Sequence, residues 1–260
     1  MTTIAVIGDC TTTTCIALAA GWPDDDVLVL EADPSGGSLA GWLDTPSSPS
    51  LATIVANIGG RDASDGSVMS TVSAMTHHSA SGIRFVAASL RALPARRAIE
   101  EATMVVVPAL ATSSVVVFAD VGRRQPGDVP SAIIGSAATT LVVHRQHAAS
   151  AAAEAVRLER LVELIERLAA TARTLTLAVI GNDPFEPAAI AQHVDASVPG
   201  ALADVVMLAD DPLAAAVLAG RTGVSANRLR RLPLMRSAAS AASRLAIGSR
   251  TASATPGASS

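Results

Sequence analysis

The residues best placed to do chemistry stand at the start of the chain. An apolar run, Ile4–Ile7, gives way at Gly8, Asp9 and Cys10 to a segment, Thr11–Ala20, with helical character. A strand-to-helix turn points free amides outward at the positive end of a helix dipole, which suits an anion. A working phosphate loop adds glycines, so that the backbone can curl, and a lysine that reaches the β- and γ-phosphates. Here the turn reads IGDCTTTTCIALA, with Gly8 as its glycine and the hydroxyls of Thr11, Thr12, Thr13 and Thr14 where a cation would be useful. Three acids close later apolar runs: Glu31 and Asp33 after Val27–Leu30, and Asp120 after Val115–Phe118. Read as scaffold, the threonines cap the first helix and Asp33 and Asp120 hydrogen-bond backbone at the ends of buried strands.

Other candidate groups are sparser. Cys10 and Cys15 flank the first helical turn, where a thiol can gain reactivity, but no histidine is paired with either locally, and both read as small buried side chains. His77–His78 lies in a polar stretch, and His144-x-x-His147 follows an apolar run. The second spacing could ligate a metal; without a third ligand nearby, all four read as solvated loop residues. Glu154, Glu159, Glu163 and Glu166 alternate with Arg157, Arg160 and Arg167, as on a solvent-facing helix. No G-x-S-x-G elbow or complete hydrolase constellation is present.

The elements that would carry these groups follow from the apolar runs. Besides the two at the start, runs occur at Ile83–Ala87, Val115–Phe118, Thr140–Val143, Leu175–Ile180 and Val205–Leu208. The two at the start are short, unalternating and rich in valine and isoleucine, as expected of strands buried on both faces of a parallel sheet. Helical segments separate several of them, best seen in Ala148–Ala170, where Val156, Leu158, Leu161, Leu164, Ile165 and Leu168 recur at helical spacing. The alternation predicts a doubly wound α/β fold, a mostly parallel sheet with helices on both faces. Residues 1–247 form this domain, and residues 248–260, rich in Ser and Ala, read as a flexible tail.

The chain has 260 residues, 50% of them hydrophobic and 16% charged, with a formal charge of −4. That composition excludes wholesale disorder, and no apolar stretch is long enough for a membrane span. A secretory signal is not visible, so a soluble cytoplasmic protein is expected. All 19 basic residues are arginine, which excludes any mechanism needing a lysine of this chain. After Asp211 no acid occurs, whereas seven arginines do, including Arg228, Arg230, Arg231 and Arg236. Clustered arginines of this kind can bind DNA phosphates without sequence preference. Leu234, Ala238, Ala241 and Leu245 share a helical face, but it is mostly alanine and lacks an aromatic anchor, which argues against membrane binding.

Taken with their order and spacing, these motifs resemble the ParA/MinD group of P-loop ATPases, which position chromosomes, plasmids, division sites and surface machinery. Aligned on Leu18–Ala19, the resemblance puts Thr11 at the position of the loop lysine and Thr12 at that of the magnesium-binding threonine. VLVLEADPSGGSLAGWL (Val27–Leu43) is similar to the family's second motif, with Glu31 in place of its first aspartate and Asp33 matching its second. VVVFADVGR (Val115–Arg123) resembles the Walker B strand ending at Asp120. AVIGND (Ala178–Asp183) is similar to the strand whose asparagine, here Asn182, helps read the base, and LADDPLAAAVLAGR (Leu208–Arg221) looks like the segment after the last strand. The similarity spans about residues 2–247.

The resemblance implies ATP at Gly8, Thr11, Thr12, Thr13 and Asn182, magnesium at Thr12, Asp33 and Asp120, and Glu31 or Asp33 orienting water if the site is active. The departures imply a degenerate Walker A loop. Losing the lysine removes a charge-assisted hydrogen bond of about 1.5–3 kcal/mol and slows chemistry by about a hundred- to a thousandfold, while Asp9 adds like-charge repulsion. The expectation is a non-catalytic or weakly nucleotide-binding regulatory protein in partitioning, cell division or apparatus positioning. It would pair as a homodimer or with another ParA/MinD-like protein. An active ATPase switch, with an arginine substituting for lysine, and a nonspecific DNA binder are the alternatives.

Overall fold

In the computed structural model, the described residues are 2–24, 26–59, 64–79, 82–123, 131–146 and 150–254, with residue 131 and residues 249–254 described by backbone alone. The strands are β1 (Thr3–Gly8), β2 (Val27–Glu31), β3 (His77–His78), β4 (Arg84–Val86), β5 (Val116–Gly122), β6 (Thr139–Arg145), β7 (Leu175–Ile180) and β8 (Leu202–Leu208). The helices are α1 (Thr11–Ala20), α2 (Leu39–Trp42), α3 (Leu51–Ile58), α4 (Asp65–Ala74), α5 (Ala92–Thr112), α6 (Ser131–Ser136), α7 (Ala151–Ala169), α8 (Pro187–Ser197), α9 (Pro212–Leu218), α10 (Ala226–Arg231) and α11 (Pro233–Ala254). One sheet carries all eight strands in the order β3-β4-β2-β5-β1-β6-β7-β8. Every pair is parallel except β3–β4, so the expected doubly wound architecture is present.

Strand periodicity divides the core. Ala5 and Ile7 face the layer that contains α3, α5, α7 and α8, whereas Ile4 and Val6 face the layer of α1, α9 and α11. Small side chains let α1 and α11, which share a layer, approach closely. At Gly21, which ends α1, an added Cβ would come within 2.9 Å of the Ala239 Cα on α11. Leu234, Ala238, Ala241 and Leu245 are all buried in that seam, so the apolar face of the last helix is spent inside the fold. An ion pair from Arg244 to Asp204 also ties α11 to β8.

Four expectations need correction. The stretch expected to be a tail from residue 248 is helical through Ala254, because alanine favours helix and no proline intervenes before 256. His77 belongs to a short antiparallel strand, where its ring is buried against Phe85 and its Nε2 lies 2.6 Å from the Pro49 carbonyl oxygen. His144 is likewise buried in β6, while His147 lies outside the described residues. Finally, α7 does not present all its charges to solvent: Glu154 is buried in its first turn. None of the helices among the described residues is long and apolar enough to cross a membrane.

Candidate functional site

The β1–α1 turn lies at the carboxyl ends of the central strands, as such a site should in an open α/β sheet. It is two residues long, Asp9 and Cys10. The phosphate-loop pattern G-x-x-x-x-G-K-[ST] ending at Thr12 would begin at Ala5, but Ala5 through Gly8 remain paired in the sheet. At Gly8 (φ +120°) an added Cβ would sit 2.2 Å from the Val143 carbonyl oxygen, and that oxygen also accepts the Asp9 amide. Cys10 then turns the chain through a left-handed conformation (φ 53°), and α1 starts with no side-chain cap. The backbone that would wrap a triphosphate is held in strand ladder, so these residues do not fit a triphosphate seated in the manner of a P-loop.

Asp9 meets cations rather than an empty anion cradle. Its Oδ2 accepts from Arg157 Nη2 at 2.6 Å and from the Arg145 backbone amide at 3.2 Å, and Arg123 Nη2 stands 3.9 Å from Oδ1. Arg157 is set by Glu154, whose Oε2 is 3.8 Å from Nη1, and Glu154 Oε1 lies 2.7 Å from His144 Nε2. Burial pulls the His144 pKa down, against the pull of Glu154. The Arg145 guanidinium pairs with both Asp210 oxygens. The signals for this cluster were polar residues at the end of an apolar strand and a Glu–Arg pair three apart near the start of a helix.

On the other side of the turn the structure brings together Thr11, Thr12, Asp33 and Asp120. Thr12 Oγ1 donates to Asp120 Oδ2 at 2.6 Å, and the Gly122 amide donates to Oδ1 at 3.1 Å. Burial raises the Asp120 pKa, opposed by the hydroxyls of Thr11 and Thr12 and by the Gly122 amide. The Asp33 carboxyl packs over Gly122, where a Cβ would come within 2.3 Å of its Cγ, and accepts from the Ser35 amide. Thr12, Asp33 and Asp120 thus adjoin, but Thr12 and Asp120 bond directly to each other, which fits a closed strand end as well as a magnesium water shell. No cluster of three His, Cys, Asp or Glu suited to a metal occurs among the described residues.

Glu31 is corrected from a water-orienting role. It is buried, its Oε1 accepts the amides of Ser38 (2.6 Å) and Leu39 (2.9 Å), and its Oε2 accepts the Ala88 amide (2.8 Å). This carboxylate staples the start of α2 to the exit of β4, with both of its oxygens engaged by backbone amides. Burial raises its pKa against those three donors.

A cleft of about 250 Å³ adjoins the turn, lined in part by Cys10, Thr13, Thr14, Arg145, Asp210 and Trp42. Its charged walls are engaged internally: Arg145 with Asp210, Asp211 with the amides of Ala214 and Leu234, and Arg221 over the Trp42 ring. Burial pushes the Cys10 thiol up, Arg145 opposing. Asn182 is exposed after β7 and does not line this cleft, so the structure does not gather it with Thr13. The loop around it is held instead by Gln146, whose amide bonds Gly181 and Phe185. Arg228, Arg230, Arg231 and Arg236 are all exposed, on α10 and the first turn of α11.

No protein-family model matches the sequence, and no curated protein matches it. Among solved structures, the chain is similar to a ParA family ATPase from Chlorobium tepidum TLS, with 14% identity over 93% of this chain and 97% of that one and a TM-score of 0.66. It is similar to the MinC:MinD cell division protein complex of Aquifex aeolicus (13% identity, 95% and 96% covered, TM-score 0.60). It is also similar to cobyrinic acid a,c-diamide synthase from Mycobacterium smegmatis with bound ADP and magnesium (17% identity, both chains covered fully, TM-score 0.57). The chain has the ParA/MinD-like P-loop ATPase fold.

Proposed function

We propose that this chain is a non-catalytic member of the ParA/MinD structural group that acts by binding, as a regulatory component in partitioning, cell division or apparatus positioning. The observation that carries this reading is the two-residue β1–α1 turn, in which Asp9 is ion-paired with Arg157 and no residue supplies the lysine. ATP and magnesium are bound weakly or not at all, and the rim of strand ends serves as a partner surface for a second copy or a ParA/MinD-like relative. A MinD protein of this fold is found in complex with MinC, which supports a binding role. Calorimetric titration with ATP–magnesium tests the reading: no heat at millimolar ATP is expected. Micromolar binding that disappears in Asp120→Ala would replace it with an active ATPase switch.

A second reading is favoured by the exposed arginines of α10 and α11. There Arg228, Arg230, Arg231 and Arg236 hold nonspecific DNA through its phosphates. Random duplex DNA would then be retarded at low salt, and replacing all four with alanine would abolish the retardation. Retardation that ignores salt, or survives the replacement, would remove this reading.

A further inference from the structure

Asp9 occupies a position with the attributes of an oxyanion site. Two donors converge on one carboxylate, the Arg157 guanidinium and the Arg145 amide, and the exposed Arg123 guanidinium adds its charge from 3.9 Å. They come from α7, from the end of β6 and from the end of β5, so the anion joins three separate elements to the β1–α1 turn. The site is also built from behind. Buried Glu154 ion-pairs with Arg157 from behind, and Glu154 is itself bonded to buried His144. The buried Glu154 carboxylate lies 3.8 Å from Arg157 Nη1, an ion pair without a hydrogen bond that places negative charge behind the guanidinium.

Resting on the loss of the phosphate cradle proposed above, we propose that Arg123, Arg157 and the Arg145 amide form a site for a single phosphate-type oxyanion, whose resident occupant is the chain's own Asp9. The carboxylate takes the place of the ligand, neutralises the guanidinium of Arg157 and keeps the turn, β6 and α7 together without any bound nucleotide. Removal of that carboxylate leaves Arg157 facing an anion-sized gap with its supporting residues still in place. Inorganic phosphate has the charge and the acceptor oxygens to fill it.

The test is chemical rescue in the full chain. Asp9→Ala is expected to melt at a lower temperature than the wild type, and inorganic phosphate is expected to raise its midpoint progressively with log concentration, as a ligand of the native state does. Chloride at matched ionic strength should not do so, and the wild type should not respond to phosphate. Adding Arg157→Ala to Asp9→Ala should weaken phosphate binding about tenfold to a hundredfold, the worth of a charge-assisted bond. If Asp9→Ala does not fold, Asp9→Ser removes the charge and still leaves room for the anion, and the same phosphate series is run on it. Equal responses of variant and wild type, or a response that chloride reproduces, would overturn the proposal. ATP–magnesium titrated into the wild type reports separately: binding there defeats the loss of nucleotide binding and leaves the phosphate comparison to decide the role of Asp9.

Discussion

Replacing Glu31 tests whether it is a structural staple, as its contacts imply, or a catalytic acid. Its carboxylate accepts three backbone amides, two of them at the start of α2 and one after β4. Hydrogen bonds to a charged group contribute about 1.5–3 kcal/mol each, so the three sum to about 4.5–9 kcal/mol. Burying the carboxylate costs several kcal/mol, which truncation recovers, and the net loss for Glu31→Ala is about 3–5 kcal/mol. Glu31→Gln keeps one oxygen for Ser38 and Leu39 but turns an NH2 group toward the Ala88 amide. That variant should lose about 1–3 kcal/mol, the cost of one orphaned donor. Both are measured by urea denaturation followed by circular dichroism and by the combined fluorescence of Trp22 and Trp42. The pH dependence has a defined sign. Because burial raises the folded pKa of Glu31, the wild type loses stability relative to Glu31→Gln as pH rises from the unfolded value, about 4.3, through the folded one. The penalty of the Gln variant therefore shrinks with rising pH across that window. An Ala variant within about 0.5 kcal/mol of wild type would refute the staple, whereas a Gln penalty that grows with pH would show that the three amides outweigh burial in setting the Glu31 pKa.

Thr12→Val removes one donor to buried Asp120 while Thr11 and Gly122 remain, and should cost about 1–3 kcal/mol in urea denaturation. Gly8→Ala combines positive φ with a Cβ against the Val143 carbonyl, and should destabilise by about 2–5 kcal/mol or prevent soluble expression, read from yield and thermal midpoint. Since burial lowers the folded His144 pKa, the protein should lose stability as pH falls below the unfolded histidine value of about 6.5 toward the folded one. His144→Gln should flatten that part of the stability profile, as measured by thermal midpoints from pH 7 downward.

The seven apolar runs that predicted strands are all strands, and Thr11–Ala20 is a helix with the expected bounds, because burial on both faces of a parallel sheet leaves a local mark in the sequence. The two-residue strand β3 left no such mark, since its partner β4 supplies the pairing. Asp120 could be read as a strand-end acid from its run alone, and its bond to Thr12 follows from β1 and β5 being neighbours. Glu31 could not be separated from a catalytic acid by spacing, because its amide partners lie 7, 8 and 57 residues away.

The order of apolar runs and the absence of lysine were thus fixed by the sequence itself, through local periodicity and composition. Which charge meets which was decided only by tertiary structure. Asp9 sits 148 residues from Arg157, and a hydrogen bond is a matter of distance and direction in space that residue spacing along a chain does not encode. The same carboxylate that would repel a phosphate, judged from its neighbours in sequence, is held by a guanidinium brought to it by the packing of α7 on the sheet.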